Sequence, residues 1–378
     1  MKEHFARFLA QPGRLHFAAH SHHPWPDVSL EGQQQAWSDA ARFIDDKWDH
    51  VFGTVLPEAA GHVAKELGLA SGASLAFAPN THEFVLRLLS CLPERPRIVA
   101  TDSEFHSFER QSRRLEEEGV QVERVPTLPF GSAAERLALT CARVKPHLVF
   151  VSQVFFNSGA VLQGLDEVVR SLPAETLVVI DGYHGFCAVP TDWAPLQSRA
   201  FYLAGGYKYA MAGEGVCFLH VPPAFQSLRP RNTGWYAAFG ALQEKQVGRV
   251  PYASGGAHFF GSTFDPSGLY RLNAVMRWKE RVGLTTAKVR AHAHGLQRRF
   301  VAGLKSQKVS AAQLMVGVDD ERRGQFLTFR TDEAKAICQA LKAQQVDTDA
   351  RDDRLRFGFG VYQDEGDVDA LLERVNAL

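Results

Sequence analysis

A lysine in a glycine-rich, aromatic turn is the first residue of this sequence whose placement indicates chemistry. Lys208 belongs to the segment AGGYKY at positions 204–209, directly after the apolar run 200–203. Glycines let a planar ligand approach the backbone closely, and a partly desolvated lysine can serve as a nucleophilic amine. The segment therefore predicts a reactive lysine rather than a solvated surface charge.

A carboxylate stands at the end of the preceding predicted strand. The β-branched run 176–180 ends in Asp181, and 208 − 181 places it 27 positions before Lys208. Pyridoxal phosphate (PLP) requires an amine for a Schiff base and a carboxylate that keeps its pyridine nitrogen protonated. Each residue alone would be read as a surface lysine or a strand-end aspartate. Together they predict a PLP site with Lys208 and Asp181 as its catalytic residues.

Three further segments could complete such a site. Asn80 and Thr81 follow a predicted strand and begin a helix, whose free N–H groups and dipole could hold a phosphate beside their capping role. Phe105 follows the next strand and could stack on a pyridine ring, although core packing alone would explain it. His184, three residues after Asp181, could bond the cofactor's phenolic oxygen or orient Asp181.

Two polar segments are candidates for the edge of the site. The cluster HSHH at 20–23 resembles a metal site, but the sequence holds no HExxH or CxxC motif, so a polar rim containing His20 and Ser21 is predicted instead of zinc. Arg351 precedes the apolar predicted strand 354–358, and Arg356 lies on it. Either could clamp a substrate carboxylate, or simply cover apolar surface. No GxGxxG or GKS/GKT motif occurs, which excludes Rossmann and P-loop sites.

Composition sets wider limits. The 378 residues suffice for two domains with a large core. Lys+Arg and Asp+Glu both number 42, and this zero net charge disfavours nucleic acid or an anionic membrane as the partner. No apolar stretch is long enough to span a bilayer, and the N-terminal residues lack a signal-peptide pattern, so a cytoplasmic protein is expected.

Apolar β-branched runs alternate with amphipathic helical stretches from about residue 30 to 220. This alternation predicts an α/β domain with a mostly parallel sheet. The predicted strands are 75–78, 97–101, 121–125, 147–152, 176–181, 200–204 and 216–221. The predicted helices between them include 81–92, 103–118, 133–144 and 165–172. Residues 222–262 are rich in Pro, Gly and aromatics and are predicted irregular, and a smaller α+β domain follows.

Several motifs resemble the class V aminotransferase superfamily of PLP-dependent enzymes, and within it the kynureninases. The most specific is GYKY at 206–209, and DxxH at 181–184 also matches. The segment TGW at 233–235 is similar to a kynureninase SGW, and FAAHS at 17–21 stands where kynureninases carry LDGNS. DAR at 349–351 with LRFGF at 355–359 resembles their C-terminal arginine region, and SQV at 152–154 followed by SG at 158–159 is the superfamily's signature.

The resemblance implies the PLP-dependent transferase (aspartate aminotransferase-like) fold and a homodimer with a shared active site. It implies an N-terminal segment at 1–28, a large PLP-binding domain at 29–262 and a small C-terminal domain at 263–378. The site residues it implies are Lys208 for the Schiff base; Asp181 at the ring nitrogen; Phe105 on the ring; His184 near the phenolic oxygen; Asn80, Thr81 and Tyr207 at the phosphate; Arg356, with Arg351 as the competing candidate, at the substrate carboxylate; and Trp235, Ser262 and Thr263 donated by a second subunit.

Three segments depart from the kynureninase pattern where the substrate side chain would lie. FHSF at 105–108 replaces a usual FPTD, GSTFDP at 261–266 replaces GTPP or SNPP, and HS at 20–21 replaces NS. The function predicted is a kynureninase-like hydrolase that splits a Cβ–Cγ bond. The alternative is a class V aminotransferase or β-lyase with another amino-acid substrate, and a non-catalytic protein of the same fold is disfavoured by the retention of Lys208 and Asp181.

Overall fold

The computed structural model describes residues 1–241 and 248–378. Within them the strands are β1 (Leu15–His16), β2 (Leu75–Ala78), β3 (Arg97–Thr101), β4 (Gln121–Val125), β5 (Leu148–Ser152), β6 (Leu177–Asp181), β7 (Phe201–Gly205), β8 (Cys217–His220), β9 (Phe326–Arg330), β10 (Val346–Asp347), β11 (Asp349–Arg351) and β12 (Arg354–Gly358).

The α-helices surround these strands. They are α1 (Val28–Phe43), α2 (Lys47–His50), α3 (Leu56–Leu67), α4 (Thr81–Ser90), α5 (His106–Glu116), α6 (Ala133–Val144), α7 (Leu165–Ser171), α8 (Ser267–Arg281), α9 (Thr286–Gly303), α10 (Ala334–Ala343) and α11 (Glu365–Asn376). A π-helical turn, Val51–Val55, joins α2 to α3.

Seven strands form the central sheet in the order β2-β8-β7-β6-β5-β3-β4. The five strands from β7 to β4 run parallel, and β8 is antiparallel to both of its neighbours. Every residue of β5 and β7 is buried, as expected for parallel strands covered by helices on both faces. The prediction of an α/β fold with a mostly parallel sheet is confirmed.

The predicted strands of this sheet lie within one residue of the observed ones, because most are short apolar runs bounded by turn residues, whereas β4 alternates apolar and polar residues. Predicted helix ends differ more. The helix predicted over 103–118 spans only 106–116, because Asp102 and Ser103 form hydrogen bonds with Thr127 in the loop before it. The short strands β1, β10 and β11 were not predicted, since two or three residues carry no periodic signal.

A second, smaller sheet has the antiparallel order β11-β12-β9. Its own apolar core combines these strands with α9, α10 and α11, and it includes Phe17 from the N-terminal segment. β1 pairs in parallel with β10, so that the N-terminal segment is fastened to the C-terminal part of the chain. Helix α8 packs instead against α1 and belongs to the larger core. The domain boundaries at 28/29 and 262/263 remain predictions.

The stretch predicted irregular, 222–262, consists of turns and three short 3-10 helices where it is described. Residues 242–247 of this stretch lie outside the described residues. No helix in the two described ranges is long and apolar enough to cross a membrane.

Candidate active site

The carboxyl ends of β5, β6 and β7 meet at one edge of the large sheet. Asp181, the last residue of β6, is in register with Ser152 on one side and Leu203 on the other. Lys208 lies three residues beyond the end of β7, in the turn that leads to β8. A Cβ at Gly205 would lie 2.2 Å from Tyr183 Oη, so only glycine lets this turn approach so closely. The edge thereby collects the two residues on which the PLP prediction depends.

The Lys208 amine is buried, with only 6% of the residue exposed. Its Nζ donates a hydrogen bond to the carbonyl oxygen of His20 at 2.9 Å and lies 3.1 Å from His184 Nε2. Burial, and next the positive charge of Arg356, lower the pKa of Lys208 to about 7. A large fraction of this amine is therefore neutral near pH 7, as a nucleophile or base requires.

Aromatic rings surround the amine. Lys208 Nζ lies 5.3 Å from the ring centre of Tyr207, 5.7 Å from that of Tyr183 and 5.9 Å from that of Phe105. Phe105 is 40% exposed, unlike most phenylalanines of the large core, and Phe156 meets it edge-on at 5.6 Å. Phe105 thus presents ring surface that the chain itself leaves uncovered, which suits stacking on a flat ligand.

Two buried acidic side chains, Asp181 and Glu104, lie at the same edge of the sheet as Lys208. Asp181 Oδ1 accepts a hydrogen bond from the Tyr183 backbone N–H at 2.9 Å, and burial raises the pKa of Asp181 to about 6. Glu104 is also buried and accepts a hydrogen bond from Ser152 Oγ at 2.6 Å. Burial, and further the charge of Asp181, raise the pKa of Glu104 to about 7. A cation beside Asp181 would stabilise its carboxylate in this acidic region.

Sequence reasoning did not identify Glu104. It lies two residues after Asp102, and the local sequence DSEF gives no indication of which acidic side chain turns inward. The fold reveals its position: Ser152 is in register with Asp181 in the sheet, and the Ser152 backbone N–H donates a hydrogen bond to the Glu104 carboxylate.

The N-terminus of α4 opens at the same edge of the sheet. Asn80 caps this helix, with its Oδ1 accepting a hydrogen bond from the Glu83 backbone N–H at 3.0 Å. Cys217, paired with both Ala78 and Gly205, connects the start of α4 to the lysine turn. Tyr183 Oη lies 3.4 Å from Cys217 Sγ. The structure thus brings Asn80 and Thr81 to the edge that carries Lys208, and their phosphate role stays a prediction.

The two candidate arginines contact the same carboxylate, that of Asp349, from different positions. Arg356 is 3% exposed and donates hydrogen bonds to the Phe156 carbonyl oxygen and to Asp349 Oδ2. Arg351 has half of its side chain exposed, and its Nε lies 3.5 Å from Asp349 Oδ1. Burial acts to raise the pKa of Asp349, but nearby His20 and the two arginine charges outweigh it and lower that pKa. Asp349 is therefore a permanent anion that holds Arg356 in place.

His20 connects this charged group to the lysine. Its imidazole is fully buried, stacks on Phe326 with ring centres 4.6 Å apart, and has Nε2 3.7 Å from Asp349 Oδ2. Neither ring nitrogen has a hydrogen-bond partner among the described residues. Burial, followed by the charge of Arg356, lowers the pKa of His20 to about 3, so its ring is neutral. Ser21, the neighbouring candidate, is partly exposed.

The remaining candidates form a separate group at the surface. Trp235 is 40% exposed, and its Nε1 donates a hydrogen bond to Thr263 Oγ1 at 3.1 Å. Ser262 and Thr263 are both exposed. A Cβ at Gly234 would lie 2.5 Å from the Gly261 carbonyl oxygen, so the two segments are in tight contact. A role for this group beside a cofactor requires a second chain and remains a prediction.

Comparisons with known proteins give two independent likenesses. The family model of the kynureninase C-terminal domain matches residues 289–375. Over the whole fold, a mutant of C-DES with glycine covalently linked to its PLP cofactor superposes with a TM-score of 0.84 at 18% identity, covering 100% of this chain and 99% of that one. The chain is thus similar to proteins of the class V aminotransferase superfamily of PLP-dependent enzymes.

A second C-DES structure is similar to this chain in fold, and a further protein is similar in sequence. The complex of the cystine C–S lyase C-DES with cysteine persulfide has a TM-score of 0.82 at 19% identity, covering 98% of this chain and 99% of that one. Isopenicillin N epimerase of Streptomyces clavuligerus is 30% identical over 174 residues, 43% of this chain and 42% of the epimerase. The match therefore spans less than half of that relative's length. The predicted fold is confirmed, and the C-DES mutant structure carries the cofactor that the sequence of this chain predicts.

Proposed function

We propose that this chain is a PLP-dependent enzyme acting on an amino acid, with Lys208 as the residue that bonds covalently to the cofactor. The observation that carries the proposal is the Lys208 amine itself. It is buried among three aromatic rings, its pKa is lowered to about 7, and it stands beside the strand-end carboxylate of Asp181. An ordinary structural lysine has no need of such surroundings.

The residues present fit PLP. Asp181 offers a carboxylate that a protonated pyridine nitrogen would stabilise, Phe105 offers an uncovered ring face, and the N-terminus of α4 suits a phosphate. When bound, PLP supplies an electron-withdrawing ring that stabilises negative charge at the α-carbon of an amino acid.

Two side chains of the protein would then act on the substrate, one on its α-proton and one on its α-carboxylate. The neutral Lys208 amine, held by the His20 carbonyl and near His184 Nε2, is placed to take the substrate's α-proton. Arg356, fixed by Asp349 and by the Phe156 carbonyl, would hold the α-carboxylate with its remaining N–H groups, since its Nε has no partner in residues 1–241 and 248–378. The surrounding aromatic side chains exclude water from the amine.

The cofactor proposal has a direct test. Purified protein supplied with PLP should absorb visible light, and borohydride should fix the cofactor to the peptide that contains Lys208. Lys208→Ala should lose turnover while still holding PLP noncovalently, and Asp181→Asn should lower turnover by at least about 100-fold, or ~2.7 kcal/mol. A protein that stays colourless with excess PLP would refute the proposal.

For the reaction we propose kynureninase-like hydrolysis, the splitting of a Cβ–Cγ bond in kynurenine or a related aryl ketone. The match to the kynureninase C-terminal domain supports it, because that match contains Arg356, Asp349 and Arg351. The cluster of Phe105, His106 and Phe156 also supports it, since ring centres 5.0–5.6 Å apart provide an aromatic surface for an aniline ring. Loaded protein incubated with L-kynurenine should release anthranilate and alanine.

A second candidate is a β-lyase or aminotransferase acting on another amino acid. The likeness to a cystine C–S lyase over the whole fold supports it, as do the departures at 20–21, 105–108 and 261–266. The same loaded protein should be given L-cystine and a panel of other amino acids. Release of pyruvate and persulfide, or accumulation of pyridoxamine phosphate, without any anthranilate from kynurenine would favour this candidate.

A further inference from the structure

A second polar cleft lies on the C-terminal part of the chain, between α9 and the segment 317–324. Its volume is about 840 Å³. Arg290, His294 and Arg298 line one wall, and their spacing of four residues places all three on one face of α9. Arg322 and Arg323 line the opposite wall.

Most of these arginines lack a carboxylate partner. Arg322 is paired with Asp320 at 2.6 Å. In the part of the chain that the structure describes, Arg290, Arg298 and Arg323 form no ion pair within 4.0 Å. Two of the three are fixed instead by uncharged acceptors, and a fixed cation without a counterion is costly unless something else supplies negative charge.

Hydrogen bonds to neutral oxygens hold the two inner arginines. Arg323 is 2% exposed, and its Nε donates to Gln297 Oε1 at 2.5 Å. Arg290 Nη2 donates to the Glu321 carbonyl oxygen at 2.6 Å. Burial, and after it the charges of Arg298 and Arg290, lower the pKa of Arg323 to about 10. The neighbouring guanidinium groups therefore repel Arg323 more strongly than Asp319 and Asp320 attract it.

We propose that this cleft is a binding site for a small multivalent anion, either a polyphosphate or a polycarboxylate. Three guanidinium groups without a direct ion pair give the planar, multiple N–H donors that such anions recognise. The volume suits a small molecule. Asp319, Asp320 and Glu321 also line the cleft, so that its four arginines exceed its three carboxylates by one positive charge.

The cleft shares a segment with the active site. Gly324 N–H donates to the Gly159 carbonyl oxygen at 2.8 Å, and two residues farther Phe326 stacks on His20. The ligand site is nevertheless distinct, because none of the residues that line the cleft contacts Lys208 in the described structure.

Calorimetric titration of the PLP-loaded protein tests the proposal, because loading fills any phosphate site of the cofactor. Inorganic pyrophosphate and citrate are the two probes, each compared with sodium chloride at equal ionic strength. At least one probe should bind saturably, and the stronger one identifies the ligand as phosphate or carboxylate. Arg298→Gln, at an exposed position, should weaken binding by about tenfold, and Arg290→Gln with Arg298→Gln by more.

Arg299→Gln is the matched control. Arg299 is adjacent on α9 but pairs with Asp369 and Glu365 on another face of the helix, so the same charge change should leave probe binding intact. Equal weakening by Arg298→Gln and Arg299→Gln would show only general charge attraction and would overturn the site. So would the absence of saturable binding by either probe.

His294 gives a readout that needs no variant. Its Nε2 lies 3.1 Å from the Gly324 carbonyl oxygen, and burial, followed by the charges of Arg323 and Arg290, lowers its pKa to about 4. An anion between these arginines should raise that pKa, and NMR of the histidine ring protons measures it. An unchanged His294 resonance and pKa at saturating probe would place the anion elsewhere and refute the proposal.

Discussion

At the scale of single residues, the site depends on how charges are arranged around one amine. Lys208 shares its surroundings with Arg356, while Asp349 and Asp181 supply the opposing negative charge. His20 and His184, both kept neutral by burial, separate these groups. Burial and the charge of Arg356 lower the pKa of the amine by more than the two carboxylates raise it, so this pKa lies near neutrality instead of above 10.

The pH dependence of cofactor capture follows from that lowered pKa. Only the neutral amine attacks an aldehyde, so the rate at which cofactor-free protein captures PLP should rise about tenfold per pH unit below 7 and level off above it. An ordinary lysine would give a rate still rising at pH 9. Stopped-flow absorbance over pH 5.5–9 measures the profile, and a midpoint above about 9 would contradict the lowered pKa.

The stability of the cofactor-free protein gives an independent check of the same shift. Between pH 7 and 10.5 the folded state binds fewer protons at Lys208 than the unfolded state, so this group's contribution to stability rises with pH across that window. Relative to Lys208→Met, the wild type should therefore be least stable at pH 7 and below. The difference in melting temperature should shrink toward pH 10.

Arg356 and Arg351 differ in solvent exposure, since Arg356 is buried and half of the Arg351 side chain is exposed. Replacing buried Arg356 by Lys should cost roughly 2–5 kcal/mol of substrate binding, seen mainly as a higher KM, because an ammonium cannot form the planar fork. Arg351→Ala is the matched control, since this half-exposed side chain should change KM by less than about tenfold. Steady-state kinetics with the best substrate decide the matter. If Arg351→Ala abolishes saturation while Arg356→Lys does not, the two roles must be exchanged.

At the scale of elements, the site depends on where strands end and a helix begins. The edge formed by β5, β6 and β7 carries Ser152, Asp181 and the turn to Lys208, and α4 begins beside it. Such an edge of a parallel sheet is where α/β proteins bind ligands, because strand-end side chains and helix N-termini converge there.

The cap of α4 can be tested by itself. Asn80→Ala removes the acceptor for the Glu83 N–H and should cost about 1 kcal/mol of stability. It should also weaken PLP affinity if this helix end holds the phosphate, because the first turn would lose its order. Asn80→Ser keeps a capping oxygen and should preserve both. Equal cofactor affinity in Asn80→Ala and wild type, measured by fluorescence titration, would remove this helix from the phosphate site.

At the scale of the whole molecule, segments far apart in sequence complete the site. The N-terminal segment pairs with β10 and brings His20 against Lys208, and β12 brings Arg356. Trp235, Ser262 and Thr263 remain on the surface of the single chain. A shared site in a homodimer would give these three residues a function.

Mixed dimers provide the test. We expect the protein to sediment as a dimer, and Lys208→Ala and Thr263→Ala each to be nearly inactive. If each site takes Lys208 from one chain and Thr263 from the other, a mixed dimer has one intact site. Refolding an equal mixture should then restore about a quarter of wild-type activity, since half of the dimers are mixed and each has one working site of two. A fully active monomer, or no recovery in mixtures, would contradict the shared site.

The amino-acid sequence alone determined the fold class and the central pair. Short apolar runs predicted most of the strands, and the glycine-rich turn around Lys208 together with Asp181 indicated the cofactor. These sequence patterns are local, so they can be recognised without knowledge of long-range contacts.

Only the tertiary structure decided which side chains are buried and which residues from different segments are in contact. Arg351 and Arg356 were equivalent in the sequence, but pairing of β12 with β9 and β11 buries one and leaves the other half exposed. Glu104 and Asp349 were not recognised as site residues, because whether an acidic side chain turns inward depends on partners 48 and 7 residues away. Burial and neighbouring charge set the protonation of Lys208, and both arise from segments that meet only when the chain folds.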